Sequence, residues 1–146
     1  MYVSMSINGK DISQYGLIAL EGTIAALIKP NTYKDLQKNE NSSMQGTMIF
    51  AAPSLRRVKQ RDITLPFLFR SESLYDMQRA LNALQEDLVQ GQTDGVNEIY
   101  VPALGTRFFV IFNNISAFSH FGDLRNGMAK ISIKFTEPNP NNRIYE

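Results

Sequence analysis

The chain contains no cysteine and no tryptophan, and it has a single histidine. Without cysteine there is no disulfide, no thiolate metal site and no cysteine nucleophile. The one histidine, His120, sits between aromatics in Phe118-Ser119-His120-Phe121-Gly122. Its spacing from the carboxylates offers no metal-binding cluster. A packed or surface histidine, in a connection between the last long strands, is the simpler reading than a general base. Gly-x-Ser-x-Gly is missing, as is a glycine-rich phosphate loop ending in Lys and Ser or Thr. Most Asp and Glu residues fall in one helical segment, one polar loop and turn positions, where solvated or capping roles account for them. No catalytic residue, metal site or cofactor is therefore assigned, and the chain is not expected to be an enzyme.

An excess of charge is lacking too. Fifteen basic and fourteen acidic residues give a net charge of +1, so no global field draws the chain to nucleic acid or to an anionic membrane. No apolar run approaches the roughly 20 residues that span a bilayer. The start, Met1-Tyr2-Val3-Ser4-Met5-Ser6-Ile7, has no basic segment before an apolar core, so a signal peptide is not expected. Synthesis in a cytoplasm, followed by work there or in a particle assembled there, is the expectation.

What is present is β patterning. The 146 residues suit one domain, and hydrophobic residues make up 43%. Nine Phe and six Tyr favour strands and assembly interfaces. Val3, Met5 and Ile7 alternate with serines, and Asn8-Gly9 then marks a hairpin. Gly16 is read as a site of positive φ or close backbone approach. Thr23-Ile24-Ala25-Ala26-Leu27-Ile28 suits either a short helix or a buried strand, and extended structure is preferred here. Residues 29–46 form a polar stretch that is either a surface loop or a loop ordered by a partner chain. Residues 47–50 form a candidate strand and 51–54 a turn. Ile63, Leu65, Phe67 and Phe69 alternate in a clear strand, in which Pro66 predicts an edge position or a bulge.

One helix follows. Ser73 with Asp76 three residues on is close to a capping box. Leu74, Met77, Leu81, Leu84 and Leu88 form one apolar stripe, and Gly91 supplies the stop. Strands then recur at 98–101, at Arg107-Phe108-Phe109-Val110-Ile111-Phe112 with a break at Asn113-Asn114, and at 115–118. After an Asn126-Gly127 turn, residues 128–137 alternate Ala129, Ile131, Ile133 and Phe135 with Lys130, Ser132, Lys134 and Thr136, a sheet with one wet side. Strands, one helix, then strands argue against a parallel α/β sheet. The expected fold is mainly β with one helix (α+β), an antiparallel β-sandwich or split barrel with one amphipathic helix packed on the sheet. Residues 1–137 form one assembly domain, and 138–146 an extended C-terminal tail.

Two segments are candidates for subunit or partner contact. Tyr33, Lys34, Leu36 and Met44 belong to the polar stretch. Arg56, Arg57, Lys59 and Arg61 form the most basic segment, which suits an acidic partner or phosphate, although a solvated edge explains it as well.

The turn Ile7-Asn8-Gly9-Lys10-Asp11-Ile12, followed by Tyr15-Gly16-Leu17, resembles the start of phage distal tail proteins. So does Arg61-Asp62-Ile63-Thr64-Leu65-Pro66-Phe67 running directly into a helix near Ser73. The resemblance covers about residues 6–135 and extends to the wider set of tail-tube and baseplate proteins. It implies a six-fold ring at the tip of a tail tube, joining the tube to the baseplate or receptor-binding machinery. Strands would face the lumen, the helix would pack outside, and DNA would be only passing cargo. The implied partners are other copies of the chain, tail-tube subunits and baseplate hub proteins, without membrane insertion. The implied location is a virion tail assembled in the host cytoplasm. Many relatives carry a second C-terminal domain, and a single domain is expected here. The family transfers no catalytic residue. The competing reading is a small β-sheet module that binds a peptide or saccharide through clustered Tyr33, Tyr100 and Tyr145.

Overall fold

The structure, a computed structural model, describes residues 4–35, 37–39, 48–50, 53, 57–122 and 127–145. Strands β1 (Ser6–Ile7) and β2 (Lys10–Asp11) form the expected hairpin, with Ile7 opposite Lys10. Asn8 at φ 55° and Gly9 at φ 82° make its turn, since Asn and Gly tolerate two successive left-handed residues. A 3-10 turn at Ile12–Tyr15 leads through Gly16 to β3 (Leu17–Ala19). Asp11 caps that turn, and its bond from the Ser13 backbone N–H holds its carboxyl below the usual range.

Gly16 meets both expectations at once. It sits at φ 75°, and a Cβ there would overlap the Arg70 carbonyl oxygen. Gly16→Ala is expected to lower stability by ~1–2 kcal/mol from the left-handed backbone alone, and further from the overlap. A urea-unfolding midpoint that matches the parent would contradict this.

Thr23–Ile28 is helix α1, not the extended segment expected. Its ambiguous sequence is settled by tertiary contacts. Leu27 is buried, and the Thr23 hydroxyl donates to the Leu20 carbonyl oxygen at 2.8 Å. The polar stretch also holds structure of its own. β4 (Gln37–Asn39) pairs antiparallel with β5 (Met48–Phe50), Gln37 opposite Phe50. The ribbon leaves the body at an isolated bridge between Tyr33 and Val58. Of the turn expected at 51–54, only Pro53 is described.

β6 (Arg61–Ser71) pairs along its whole length with β9 (Gly127–Glu137), from Arg61 opposite Glu137 to Ser71 opposite Gly127. Pro66 was expected on an edge or bulge, yet it lies in this interior strand. Its carbonyl accepts from the Leu20 N–H at 3.1 Å, so its absent N–H faces the same side, just past the end of β3. The Leu20 carbonyl that would have needed that N–H takes both its donors from Thr23 instead.

Helix α2 (Leu74–Gln90) follows as expected. The Ser73 hydroxyl accepts from the Asp76 N–H at 3.2 Å and donates to its carboxylate at 3.0 Å. Met77, Leu84 and Leu88 are buried against the sheet, while Leu74 and Leu81 are half-buried. β7 (Val96–Val101) and β8 (Thr106–Gly122) join an antiparallel sheet whose seven-strand path is β2-β1-β7-β8-β9-β6-β3, with an eighth, C-terminal strand pairing beside β8. No described pairing joins the two ends, so it is not a closed barrel. The turn expected before Gly127 falls on residues 123–126, outside those described.

Buried Asn97 ties three parts together. It accepts from the Asn8 amide at 2.9 Å and donates to the Leu88 carbonyl at 2.8 Å, linking the first hairpin, β7 and the end of α2. The C-terminal segment lies against the domain. Pro140–Asn142 forms a 3-10 turn with Pro140 buried, and β10 (Ile144–Tyr145) pairs antiparallel with the start of β8. No described helix is long and apolar enough to cross a membrane.

Candidate assembly surface

β8 is much longer than the strand beside it. β7 covers only the stretch from Thr106 to Ile111, opposite Val101 to Val96. On that side no described strand pairs with residues 112–122, while on the other side β9 follows β8 from Ile111 to Gly122. Alternate residues of this eleven-residue stretch thus present an open row of backbone donors and acceptors, the usual template for pairing with another chain. The ladder to β9 shifts register between Phe112 and Asn114 and again between Ile115 and Ala117. The expected break at Asn113-Asn114 is therefore a bulge within one continuous strand. The Asn113 amide donates to the Thr136 hydroxyl at 2.7 Å, which anchors the extra residue.

The bulges decide which side chains face α2. Ile115 sits opposite Ile133, Phe118 opposite Ile131 and His120 opposite Ala129, all on the core face. With Leu74, Met77 and Leu81 of α2 they line an open groove of about 470 Å³ along the unpaired edge. Phe118 is 50% exposed there, while Phe121, opposite Met128, is exposed on the other face of the sheet. His120 lies on β8 itself and not in a connection; its ring stacks on Phe118 at 6.4 Å between centroids. Among the described residues no group of three or more His, Asp or Glu side chains converges.

The sequence candidates separate into three groups. Tyr33, Lys34, Arg57 and Lys59 lie together and exposed at the root of the β4–β5 ribbon. There the Lys34 N–H donates to the Arg57 carbonyl at 2.7 Å and the Lys59 N–H to the Thr32 carbonyl at 2.6 Å. Leu36, Met44 and Arg56 lie outside the described residues. Arg61 is corrected from a contact residue to a core one. It is 6% exposed, and its guanidinium donates to Glu137 at 2.8 Å, to the Lys29 carbonyl at 2.6 Å and to the Leu27 carbonyl at 3.1 Å. The signal was in the alternation, since Arg61 shares parity with Ile63, Leu65, Phe67 and Phe69.

Tyr100 and Tyr145 do not share a face. The Tyr100 ring lies under the Arg107 guanidinium at 4.3 Å, on one side of the β7–β8 ladder. Tyr145 pairs with Thr106, one residue along, and so projects to the other side. The clustering required for a three-tyrosine binding groove is not formed.

No family model matches the chain, and no curated protein matches it. Among solved structures it is similar to the crystal structure of the SPP1 Dit protein, described as a paradigm of the hub adsorption apparatus in phages that infect Gram-positive bacteria. The TM-score is 0.63 at 13% sequence identity, over 96% of this chain and 51% of that one. The chain thus spans about half the length of that protein. At this identity the two share a fold.

Proposed function

We propose that this chain is a structural, non-enzymatic subunit of a phage tail, assembling into a homo-hexameric ring that joins the tail tube to the baseplate or tail tip. The observation that carries the reading is the open edge of β8 at residues 112–122, bordered by its apolar groove. The fold shared with a phage hub protein supports the setting. A closed ring needs two different edges that complement each other. The far side of this part of the sheet supplies a second edge at β3, only Leu17–Ala19 long, which leaves the rest of β6 beside it. Pairing the β8 edge of one copy with the β3–β6 edge of the next satisfies both rows of backbone groups. The β4–β5 ribbon, whose root carries Tyr33, Lys34, Arg57 and Lys59, has paired strands of about 10 Å at strand spacing, available to a neighbour or a tube subunit.

Size-exclusion chromatography with light scattering tests the ring, at six times the 16.5 kDa chain mass. Because Tyr33 and Val58 already lie side by side, residues 35–56 can be replaced by a short Gly-Ser turn without stretching the body. That variant is expected to keep its fold by circular dichroism and to lose at least tenfold in ring affinity. A parent chain that stays monomeric at high concentration and ignores tube subunits overturns the reading.

A further inference from the structure

We propose that His120 is a proton switch on the open edge of β8: the edge accepts a neighbouring copy while the imidazole is neutral and rejects it once the imidazole is protonated. The inference rests on the ring reading, since it names what governs the contact proposed there. The chain has one histidine, and histidine is the side chain whose ordinary change of charge falls between about pH 5 and 8. Open strand edges are commonly guarded by charge. From Phe112 to Gly122 this edge holds no Lys, Arg, Asp or Glu, so a protonated His120 is the one charged guard it can raise.

His120 lies exposed on the face that carries α2, opposite Ala129 and stacked on Phe118. The α2 wall of its groove consists of Leu, Met, Gln and Asn side chains, with no acid among them. The charged residues of α2 are placed elsewhere. Asp76 accepts from the Ser73 hydroxyl at the first turn, and Arg79 lies over the Tyr75 ring. Asp87 stands near Tyr15, which burial and that carboxylate raise above its usual range. Glu86 borders the flank near Val89, outside the groove. On the strands, Lys130 is opposite Ser119 and Arg70 opposite Met128, both on the other face of the sheet.

The incoming edge brings no charge to the groove either. β3, β6, β9 and β8 alternate in direction. A neighbour's β3 added beside β8 therefore continues the antiparallel order and lays Leu17 and Ala19 on the same face as Phe118 and His120. Leu17, Ile18 and Ala19 are uncharged, and Glu21 and Glu72, both exposed, flank that edge in the sequence. Covering an imidazolium with such apolar groups, with no acid in the groove to pair with it, costs more than covering the neutral imidazole. Protons thus bind the separated chain better than the ring, and assembly weakens as pH falls.

The test is light scattering across a dilution series at about pH 7.5 and about pH 5.5, either side of the ordinary histidine range. The parent ring is expected to lose about tenfold or more in affinity at the lower pH, with its circular dichroism unchanged because His120 is exposed in the separated chain. His120→Gln is expected to remove the difference between the two pH values, and His120→Asn is the second neutral variant should Gln not fit the groove. His120→Lys, charged throughout, is expected to give single chains at both. A parent ring equally stable at both pH values overturns the inference. So does one that tightens at the lower pH, which marks pairing of His120 with Glu21 or Glu72. A difference that survives both neutral variants overturns it as well, because another group then titrates. A parent that stays monomeric at both values overturns the ring reading and this inference with it, whereas a ring that ignores pH overturns the inference alone.

Discussion

Glu137→Ala is expected to cost about 3–5 kcal/mol of folding stability, the range for breaking a buried ion pair by removing one partner. Glu137 is fully buried at the end of β9 and lies between two guanidiniums. One carboxylate oxygen accepts from Arg61 Nε and from an Arg143 terminal nitrogen, each at 2.8 Å. The other accepts from Arg143 Nε, also at 2.8 Å. Arg61 carries its charge at 6% exposure and gives two further donors to the carbonyls that end α1. Arg143 bridges onward to Asn31 at 3.2 Å and lies over the Phe108 ring. One carboxylate thus fastens the C-terminal segment, the end of α1 and two central strands. Without it, Arg61 remains in the core as an uncompensated charge.

Domains of this kind have a total stability of about 5–15 kcal/mol, so the loss is a large fraction of the whole. Urea unfolding reads it directly, and a change below about 1 kcal/mol would show that the cluster relaxes into solvent. Arg61→Met combined with Glu137→Leu is expected to recover most of the loss, because removing both charges removes the desolvation cost. The hydrogen bond to Glu137 raises the Arg143 guanidinium above its usual value. A raised cationic group contributes fully below its unfolded value and loses that contribution only as pH rises through the folded one. The Arg143 contribution is therefore constant across neutral pH.

Local pattern carried much of the fold. The apolar alternation of β6 and β9 and the stripe of α2 between Ser73 and Gly91 each belong to a single segment, so each was readable from it. Thr23–Ile28 was not readable. It is only six residues long, its N-terminal flank is Gly22 at φ 100° without a side-chain cap, and buried contacts of Thr23 and Leu27 decide its form. Gln37–Asn39 is polar throughout, and its strand state comes from pairing with a segment about ten residues away. Pro66 misled because a proline's cost depends on which neighbour ends beside it. Arg61 shows a different failure, in which composition outweighed parity: four cations in six residues suggested a surface, while the alternation already placed one of them inside. The open edge is the least readable feature of all. It is a property of where β7 stops, between the Asp94-Gly95 turn and Pro102, relative to how far β8 continues.

If the chain assembles as proposed, Phe118→Asp is expected to convert the ring to single chains while leaving the fold of each chain almost untouched. The ring side of the argument begins with the edge. Monomeric proteins protect open edges by bulges, charge or cover, and β8 carries two bulges over residues 112–117, with no charged side chain between Arg107 and Gly122 other than His120 when protonated. The bulges bend the edge without blocking it, so any strand added there must match its twist. Phe118 stands in the groove beside that edge, half exposed in the free chain and on the α2 side of the sheet, where a side chain of an added strand would pack against it. Aromatic anchors of this kind contribute 2 kcal/mol or more when a partner buries them, about thirtyfold in each contact at 1.4 kcal/mol per tenfold. An aspartate adds the cost of burying a carboxylate in a groove that holds neither Lys nor Arg.

Every subunit of a closed ring makes two such contacts, so the effects compound and the ring fails cooperatively. In the free chain the same substitution exposes the carboxylate to water, and its stability cost is correspondingly small. Light scattering then separates the two roles of Phe118. A monomer with the parent's unfolding midpoint marks an interface residue, whereas a lowered midpoint marks a core residue that happens to be half exposed. Tyr75→Ser supplies the comparison, because Tyr75 is 77% exposed on α2 but lies off its apolar stripe, away from the groove. If it dissociates the ring as effectively as Phe118→Asp, the edge of β8 is not where the copies meet.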